Sequence, residues 1–182
     1  MRKITVMSAG NGGQALAGDL ALRGHAVTLY EHPKFAATVA AIRAKGDIIE
    51  MENKIVGAGK LARTTTDAAE ALRGAEIVYF TAPSFAQEAF FNLALPHFEN
   101  GQVLVLSPGN YGTFGLKDAF RKLGKDVLVG ETDNLPYACA AVEPGRVNVR
   151  GVKNPVTLAV LPDSDYDRVD AEEARVTLSA FK

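Results

Sequence analysis

The chain has 182 residues, 47% of them hydrophobic and 23% charged, and its formal net charge is −1. These values are typical of a globular protein with one sizeable core, and they argue against nucleic acid or an anionic membrane surface as a partner. The single cysteine, Cys139, excludes an intramolecular disulfide framework, and nowhere do about 18 apolar residues follow one another as a membrane-spanning helix requires. We therefore expect a cytoplasmic protein.

Apolar strand-like segments alternate with helical segments along most of the chain. We predict strands at 3–9, 26–32, 75–83, 101–109, 126–131 and 154–162, with helices at 12–24, 33–45, 66–73, 84–95 and 113–123. This alternation predicts an α/β fold, in which a doubly wound, Rossmann-type and mainly parallel sheet has helices on both faces. The almost wholly apolar runs at 76–80 and 103–106 are typical of strands at the centre of such a sheet.

Three segments depart from this alternation. Residues 46–62 contain short apolar pieces broken by charges and glycines, which indicates either a hairpin or an irregular third strand. After residue 131, strand signals with turns predict closing antiparallel strands. The last stretch is typical of a helix that reaches the chain end, and its apolar positions are Val169, Val176, Leu178 and Phe181.

This pattern divides the chain into a domain at 1–165 and a terminal helix at 166–182. We expect the terminal helix to be either a docking helix or the beginning of a further helical domain that this chain lacks. Its apolar side chains, if uncovered, would favour self-association, so a homo-oligomer is also compatible with the sequence.

A glycine-rich turn connects the first predicted strand to the first helix. The dinucleotide-binding fingerprint requires three small residues here, and two registers fit it: Ser8, Gly10 and Gly13, or Gly10, Gly12 and Ala15. In either register the backbone N–H groups at the start of the helix are open to an anion, which the helix dipole favours. The turn therefore predicts a pyrophosphate site at Gly10, Asn11, Gly12 and Gly13.

The second predicted strand ends on an acid, Glu31, about 20 residues after the turn, as the fingerprint requires. Its carboxylate can accept both hydroxyls of an adenosine ribose and would repel a 2′-phosphate. An isolated glutamate at a strand end is more often a solvated charge, but its spacing from the turn favours the binding role. We predict NAD as cofactor without excluding NADP, because His32 and Lys34 could each reach a phosphate.

Two further loops follow buried strands at the carboxyl edge, where doubly wound sheets bind ligands. In the segment TAPSF at 81–85 we predict cofactor contacts by Ala82, Pro83 and Ser84. The segment SPGNYGTF at 107–114 is equally compatible with a ligand site and with simple turn geometry. We predict no metal site, because the histidines show no metal-ligand spacing.

Three motifs together resemble the N-terminal domain of the octopine/nopaline (opine) dehydrogenase family. They are AGNGGQALAGDLALRGHAVTLYE, the Pro-Gly-Asn of LSPGN and, most specifically, GETDNLPYACA at 130–140, and the likeness covers essentially the whole chain. The resemblance implies an oxidoreductase that uses NADH or NADPH to reduce the imine formed by an amino acid and a 2-oxo acid. It also implies a Rossmann-type nucleotide domain and a helical C-terminal domain that holds the amino acid and a His–Asp pair for proton transfer.

Residue by residue, the resemblance assigns cofactor contacts to the glycine turn and to Glu31, places Asn110 towards the oxo acid and places Thr132 beside it. Ser8 stands where the family usually has glycine, and Ala140 stands where it tends to have an arginine that could orient a carboxylate or contact a partner domain. The family's catalytic histidine would lie beyond residue 182, so we assign no catalytic residue here. We expect this chain alone to bind the cofactor without turnover, its other half being a missing helical domain or a second subunit.

Two alternatives remain open from the sequence. One is the nucleotide domain of a ketopantoate or glycerol-3-phosphate type reductase, which a lysine in the helical domain would mark. The other is a non-catalytic NAD-binding module, which requires no second half.

Overall fold

The computed structural model describes residues 1–153 and 156–169. Eleven strands and five α-helices lie in these ranges, in addition to the helical residues 166–169. The strands are β1 (Lys3–Met7), β2 (Ala26–Tyr30), β3 (Ile48–Asn53), β4 (Gly57–Lys60), β5 (Arg63–Thr65), β6 (Ile77–Phe80), β7 (Val103–Leu106), β8 (Leu128–Thr132), β9 (Tyr137–Glu143), β10 (Arg146–Val152) and β11 (Leu158–Leu161). The helices are α1 (Asn11–Leu22), α2 (Ala36–Ala44), α3 (Ala68–Leu72), α4 (Gln87–Ala94) and α5 (Gly112–Lys122).

The main sheet has seven strands in the order β11-β8-β7-β6-β1-β2-β5. Every neighbouring pair is parallel except β8 and β11, which confirms a doubly wound, mainly parallel sheet closed by an antiparallel strand. All residues of β6 and β7 are buried, as their apolar sequences predict. The chain leaves β1 in one direction and returns to its other side at β6, so the point where the strand order reverses lies beside the glycine turn.

A second sheet of four strands, in the order β4-β3-β10-β9, covers α1. The segment 46–62 forms the antiparallel hairpin of β3 and β4 in this sheet. The next strand of the main sheet is β5, which pairs with β2 and was not predicted, because three residues are too few to show a periodicity. The strands after residue 131 are divided between the two sheets: β9 and β10 form a hairpin in the second, and β11 closes the main one.

Helix α1 is buried from Gly12 to Leu20 because it lies between the two sheets. Its small residues make this possible: a Cβ added at Gly18 would lie only 2.6 Å from the sulfur of Met51 in β3. A Cβ added at Gly59 in β4 would in turn overlap the backbone of Gly18. The richness of α1 in alanine and glycine therefore reflects close packing on both of its faces.

Only the first residues of the predicted terminal helix at 166–182 lie within the described part of the chain. Residues 166–169 are helical, and Val169 packs into the core. The remaining residues of the predicted terminal helix, 170–182, lie outside the described residues, as do positions 154 and 155 of the last predicted strand.

Candidate nucleotide-binding site

The glycine turn lies at the carboxyl end of β1, and its backbone is anchored to the neighbouring strand. Ser8 adopts a positive φ of 92°, a conformation that glycine tolerates more easily than serine. Its N–H donates to the carbonyl of Tyr30 at 2.8 Å, and its hydroxyl accepts the Gly10 N–H at 3.3 Å. The serine in the usual glycine position therefore preserves the turn.

Gly13 marks the closest approach of α1 to β1. A Cβ added there would overlap the carbonyl oxygen of Ser8 and would lie 2.9 Å from the hydroxyl oxygen of Thr81. This is the position at which the fingerprint requires glycine for helix–strand packing. The geometry therefore selects the register Ser8, Gly10 and Gly13 over the alternative register.

The N-terminus of α1 can bind an anion. The first N–H groups of a helix lack intrahelical partners, and Gly10 at the N-cap has no side chain to occupy them. The first turn is Asn11-Gly12-Gly13, so it carries no acidic side chain that would compete with a phosphate. The positive end of the helix dipole and the unpaired backbone N–H groups thus lie at the same place, where both attract a phosphate.

The side chain of Asn11 contacts the second sheet. Its Oδ1 accepts the N–H of Ala141 in β9 at 2.9 Å. Gln14 makes a similar bridge, since its Nε2 donates to the carbonyl of Ala9 at 2.7 Å and its Oε1 accepts the Gly145 N–H at 2.8 Å. Two side chains of α1 therefore attach the glycine turn to the second sheet.

Glu31 lies immediately beside the turn, as its spacing predicts. The residue is only 5% exposed, and its Oε2 accepts the N–H of Ala9 at 2.7 Å while its Oε1 accepts that of His32 at 2.6 Å. Burial raises the pKa of the carboxyl group, and these two backbone hydrogen bonds partly offset that rise. Because a carboxylate has about four acceptor positions, it retains capacity for two ribose hydroxyls.

The loop after β6 borders the glycine turn on its other side. The N–H and the hydroxyl of Thr81 both lie 3.1 Å from the carbonyl oxygen of Met7, the last residue of β1. Ala82 is buried, whereas Pro83 and Ser84 are exposed. All three predicted contact residues are thus next to the point at which the strand order reverses.

The loop after β7 brings the two candidate substrate residues together. Asn110 and Thr132 line one pocket of about 270 Å³. Thr132 is 2% exposed, and its hydroxyl oxygen lies 2.9 Å from the hydroxyl oxygen of Ser107 and 2.8 Å from the carbonyl oxygen of Asn134. Its hydroxyl therefore already braces the loop, whereas Asn110 is exposed to the pocket.

The motif GETDNLPYACA has a structural role that sequence reasoning missed. The side chain of Leu135 lies against Gly12, where an added Cβ would be 2.7 Å from it. The hydroxyl of Tyr137 donates to the buried carboxylate of Asp19 at 2.7 Å, and burial together with this carboxylate raises the pKa of the tyrosine. The motif therefore fixes α1 from the side of the second sheet.

In residues 1–153 and 156–169 no three His, Cys, Asp or Glu side chains gather in a way that could hold a metal ion. No helix there has the length and apolar character needed to cross a membrane.

Comparison with known proteins identifies this arrangement. Residues 3–143 match the family described as NAD-dependent glycerol-3-phosphate dehydrogenase N-terminus. The chain belongs to this family. The match spans the glycine turn, Glu31 and both loops at the carboxyl edge, so it covers the whole candidate site.

Individual relatives include both enzyme types considered from the sequence. An opine dehydrogenase from Arthrobacter sp. (strain 1C) is 28% identical over 159 residues, which are 86% of this chain and 44% of that protein. A glycerol-3-phosphate dehydrogenase from Koribacter versatilis (strain Ellin345) is 35% identical over 106 residues, or 58% of this chain and 31% of that protein. The structure of an octopine dehydrogenase in complex with NADH and agmatine has a TM-score of 0.75 and 26% identity, and the match covers 88% of this chain and 42% of that one.

These relatives confirm the predicted resemblance to the N-terminal domain of opine dehydrogenases, the Rossmann-type fold and NAD as cofactor. The chain is a NAD-binding domain of an oxidoreductase family. It spans less than half the length of each of these relatives.

Proposed function

We propose that NAD binds across the carboxyl edge of the main sheet, with its adenosine ribose on Glu31 and its pyrophosphate on the N–H groups of residues 10–13. Ala82, Pro83 and Ser84 would contact the cofactor beyond the pyrophosphate. The single observation that carries this proposal is the juxtaposition of the Glu31 carboxylate with the glycine turn, at 2.7 Å from the Ala9 N–H.

The residues present fit a dinucleotide. The start of α1 lies close to the end of β1, because a Cβ at Gly13 would overlap the Ser8 carbonyl. The N–H groups of the first helical turn lack intrahelical partners and can bind a phosphate. The Glu31 carboxylate favours a ribose with free hydroxyls over a 2′-phosphate, because two like charges would face each other in a partly buried place. NAD is therefore preferred, while His32 and Lys34 keep NADP possible.

The reaction that we propose is reduction of the imine formed by an amino acid and a 2-oxo acid, in the manner of an opine dehydrogenase. NADH, when bound, supplies the hydride for the imine carbon. The residues of this chain hold and orient the two reactants. The glycine turn and Glu31 fix the nucleotide, and the Asn110 amide donates a hydrogen bond to the oxo-acid carboxylate. Thr132 supports the loop that carries Asn110.

The proton donor and the amino-acid pocket belong, in this proposal, to a helical second domain or a second subunit. The basis is the length of the relatives, which extend well beyond the stretch that matches this chain. Residues 1–165 would then be the nucleotide domain and 166–182 the connection to the second half. The 182-residue chain by itself would bind NADH without turnover, and the single cysteine fits a reducing, cytoplasmic location.

The test is calorimetric titration of the 182-residue chain with NADH and with NADPH, repeated for Glu31→Ala. We expect NADH to bind more tightly than NADPH, and Glu31→Ala to weaken NADH about tenfold or more, since hydrogen bonds to a charged group are worth about 1.5–3 kcal/mol. The matched control is Glu50→Ala, an exposed acid on β3 that should leave both affinities unchanged. Unchanged NADH affinity in Glu31→Ala, or no binding by the wild type, would refute the assignment.

A second candidate is the nucleotide domain of a glycerol-3-phosphate or ketopantoate type reductase. The description of the matching family and the 35% identity to the Koribacter enzyme favour it. Assays of a protein that contains this domain and its second half separate the candidates: NADH oxidation that requires both an amino acid and a 2-oxo acid supports the first. Oxidation with dihydroxyacetone phosphate or ketopantoate alone supports the second, and binding without oxidation of any of them supports a non-catalytic module.

A further inference from the structure

Glu131, near the end of β8, makes one hydrogen bond to the loop after β7 and two to the first turn of α5. Its Oε1 accepts the N–H of Tyr111 at 3.2 Å, and its Oε2 accepts the N–H and the hydroxyl of Thr113 at 3.3 and 3.1 Å. The backbone of Glu131 is paired with Leu106, the last residue of β7. One carboxylate thus connects a rigid strand to the neighbouring loop and to the start of α5.

The loop needs such an anchor because its backbone is unusual. Asn110 and Tyr111 have φ values of 51° and 66°, a region that residues other than glycine enter only at an energetic cost. Gly109 lies directly on the Glu131 side chain, since a Cβ added there would overlap it. The carbonyl of Gly109 is held from the other side by the Nε2 of Gln87 at 3.0 Å.

We propose that Glu131 is a positioning residue that holds the loop at 107–111 and the first residues of α5 in the conformation that borders the nicotinamide and presents Asn110 to the oxo acid beside it. This inference rests on the proposed function. A contact between Glu131 and the cofactor or substrate is not part of it. The residue acts through the three hydrogen bonds that fix Tyr111 and Thr113 around Asn110.

The strand order separates this loop from the adenosine end. Glu31 follows β2, and β1 and β6 lie between β2 and β7. With neighbouring strands about 4.8 Å apart, the loop after β7 is roughly 14 Å from the end of β2. A change at Glu131 should therefore affect ligands that reach the nicotinamide end and spare those that stop before it.

A merely structural role gives a different expectation. An acid that bonds the first turn of α5 also stabilises that helix, and its loss would lower the free energy of unfolding whether or not Asn110 is displaced. In that case the affinities for NADH and for a ligand that lacks nicotinamide would change by the same factor or not at all. The ratio of the two affinities therefore distinguishes the roles.

The experiment measures the affinities of the 182-residue chain for NADH and for ADP-ribose, which lacks the nicotinamide. Glu131→Gln keeps the packing against Gly109 but replaces one acceptor oxygen with an NH₂ group. We expect NADH to bind about tenfold more weakly and ADP-ribose to stay within twofold. Thr113→Val, which removes only the hydroxyl donor, should weaken NADH binding about threefold. Asp118→Asn, a partly exposed acid on α5 that pairs with Arg121 and Lys122, should change neither affinity.

Two results would overturn the positioning role while leaving the nucleotide site intact. One is an equal change, or no change, in both affinities in Glu131→Gln, and the other is a wild type that binds NADH no better than ADP-ribose. A wild type that binds neither ligand would overturn the proposed nucleotide site and, with it, this inference.

Discussion

Gly13→Ala is the substitution for which the structure gives the sharpest expectation. The added Cβ would lie 1.7 Å from the carbonyl oxygen of Ser8, and real Cβ contacts essentially never fall below 3.0 Å. Helix α1 would have to withdraw from β1 by more than 1 Å, yet on its other face Gly18 already touches the second sheet. Overpacking of this kind costs about 1–3 kcal/mol, and we expect a value near 3 because the helix has no free direction.

For a chain of this length 1 kcal/mol corresponds to about 2–4 °C, so the melting temperature should fall by roughly 6–12 °C. Thermal unfolding followed by circular dichroism measures this, and NADH titration at 10 °C should show at least a tenfold weaker affinity. The matched control is Gly115→Ala in α5, where an added Cβ meets nothing within 4 Å. There the better helix propensity of alanine should raise stability by up to about 1 kcal/mol. A Gly13→Ala variant as stable as wild type and with full NADH affinity would refute the close-approach argument.

Tyr137→Phe should lower the free energy of unfolding by about 1–3 kcal/mol in urea titrations, because it removes a hydrogen bond from the buried Asp19 carboxylate. Tyr30→Phe should instead leave stability unchanged or higher, since the Tyr30 hydroxyl is buried without a partner in the described part of the chain; a loss like that of Tyr137→Phe would contradict this. The raised pKa of Glu31 favours its protonated form in the folded state. Stability from this group is therefore full below the ordinary pKa of 4.5 and is lost as the pH rises through the higher folded-state pKa, a dependence that Glu31→Gln should abolish. Ser8→Gly should tighten NADH binding, as judged by titration, because it frees the Gly10 N–H that the serine hydroxyl now accepts.

The parts of the fold that could be predicted are those that local sequence patterns indicate. Strand–helix alternation located the central strands because continuous apolar runs of four residues, such as those of β6 and β7, need burial on both sides. The strand β5 was not predicted, because Arg63–Thr65 is short and polar. The second sheet was not predicted, because β3 pairs with β10, whose residues lie about a hundred positions further along the chain. Local periodicity carries no information about a pairing at that distance.

The same limit applies to the site. Spacing alone placed Glu31 beside the glycine turn, and the strand ends placed Ala82 to Ser84 and Asn110 at one edge of the sheet. Sequence reasoning could not choose between two registers of the fingerprint, because both contain the required small residues. The choice depends on the distance between α1 and β1 at Gly13, which is a tertiary quantity. Glu131 was overlooked for a related reason, since its three hydrogen-bonding groups belong to a different strand–loop unit.

The position of α1 between two sheets also explains why the most specific motif of the sequence lies far from the glycine turn along the chain. In an open doubly wound sheet the first helix has a solvated face, but here the second sheet occupies it. The residues of GETDNLPYACA then have to match α1: Leu135 fits over Gly12, and Tyr137 satisfies Asp19. A substitution at Leu135 or Tyr137 should therefore weaken nucleotide binding without touching the nucleotide, because these two residues set where the N-terminus of α1 lies.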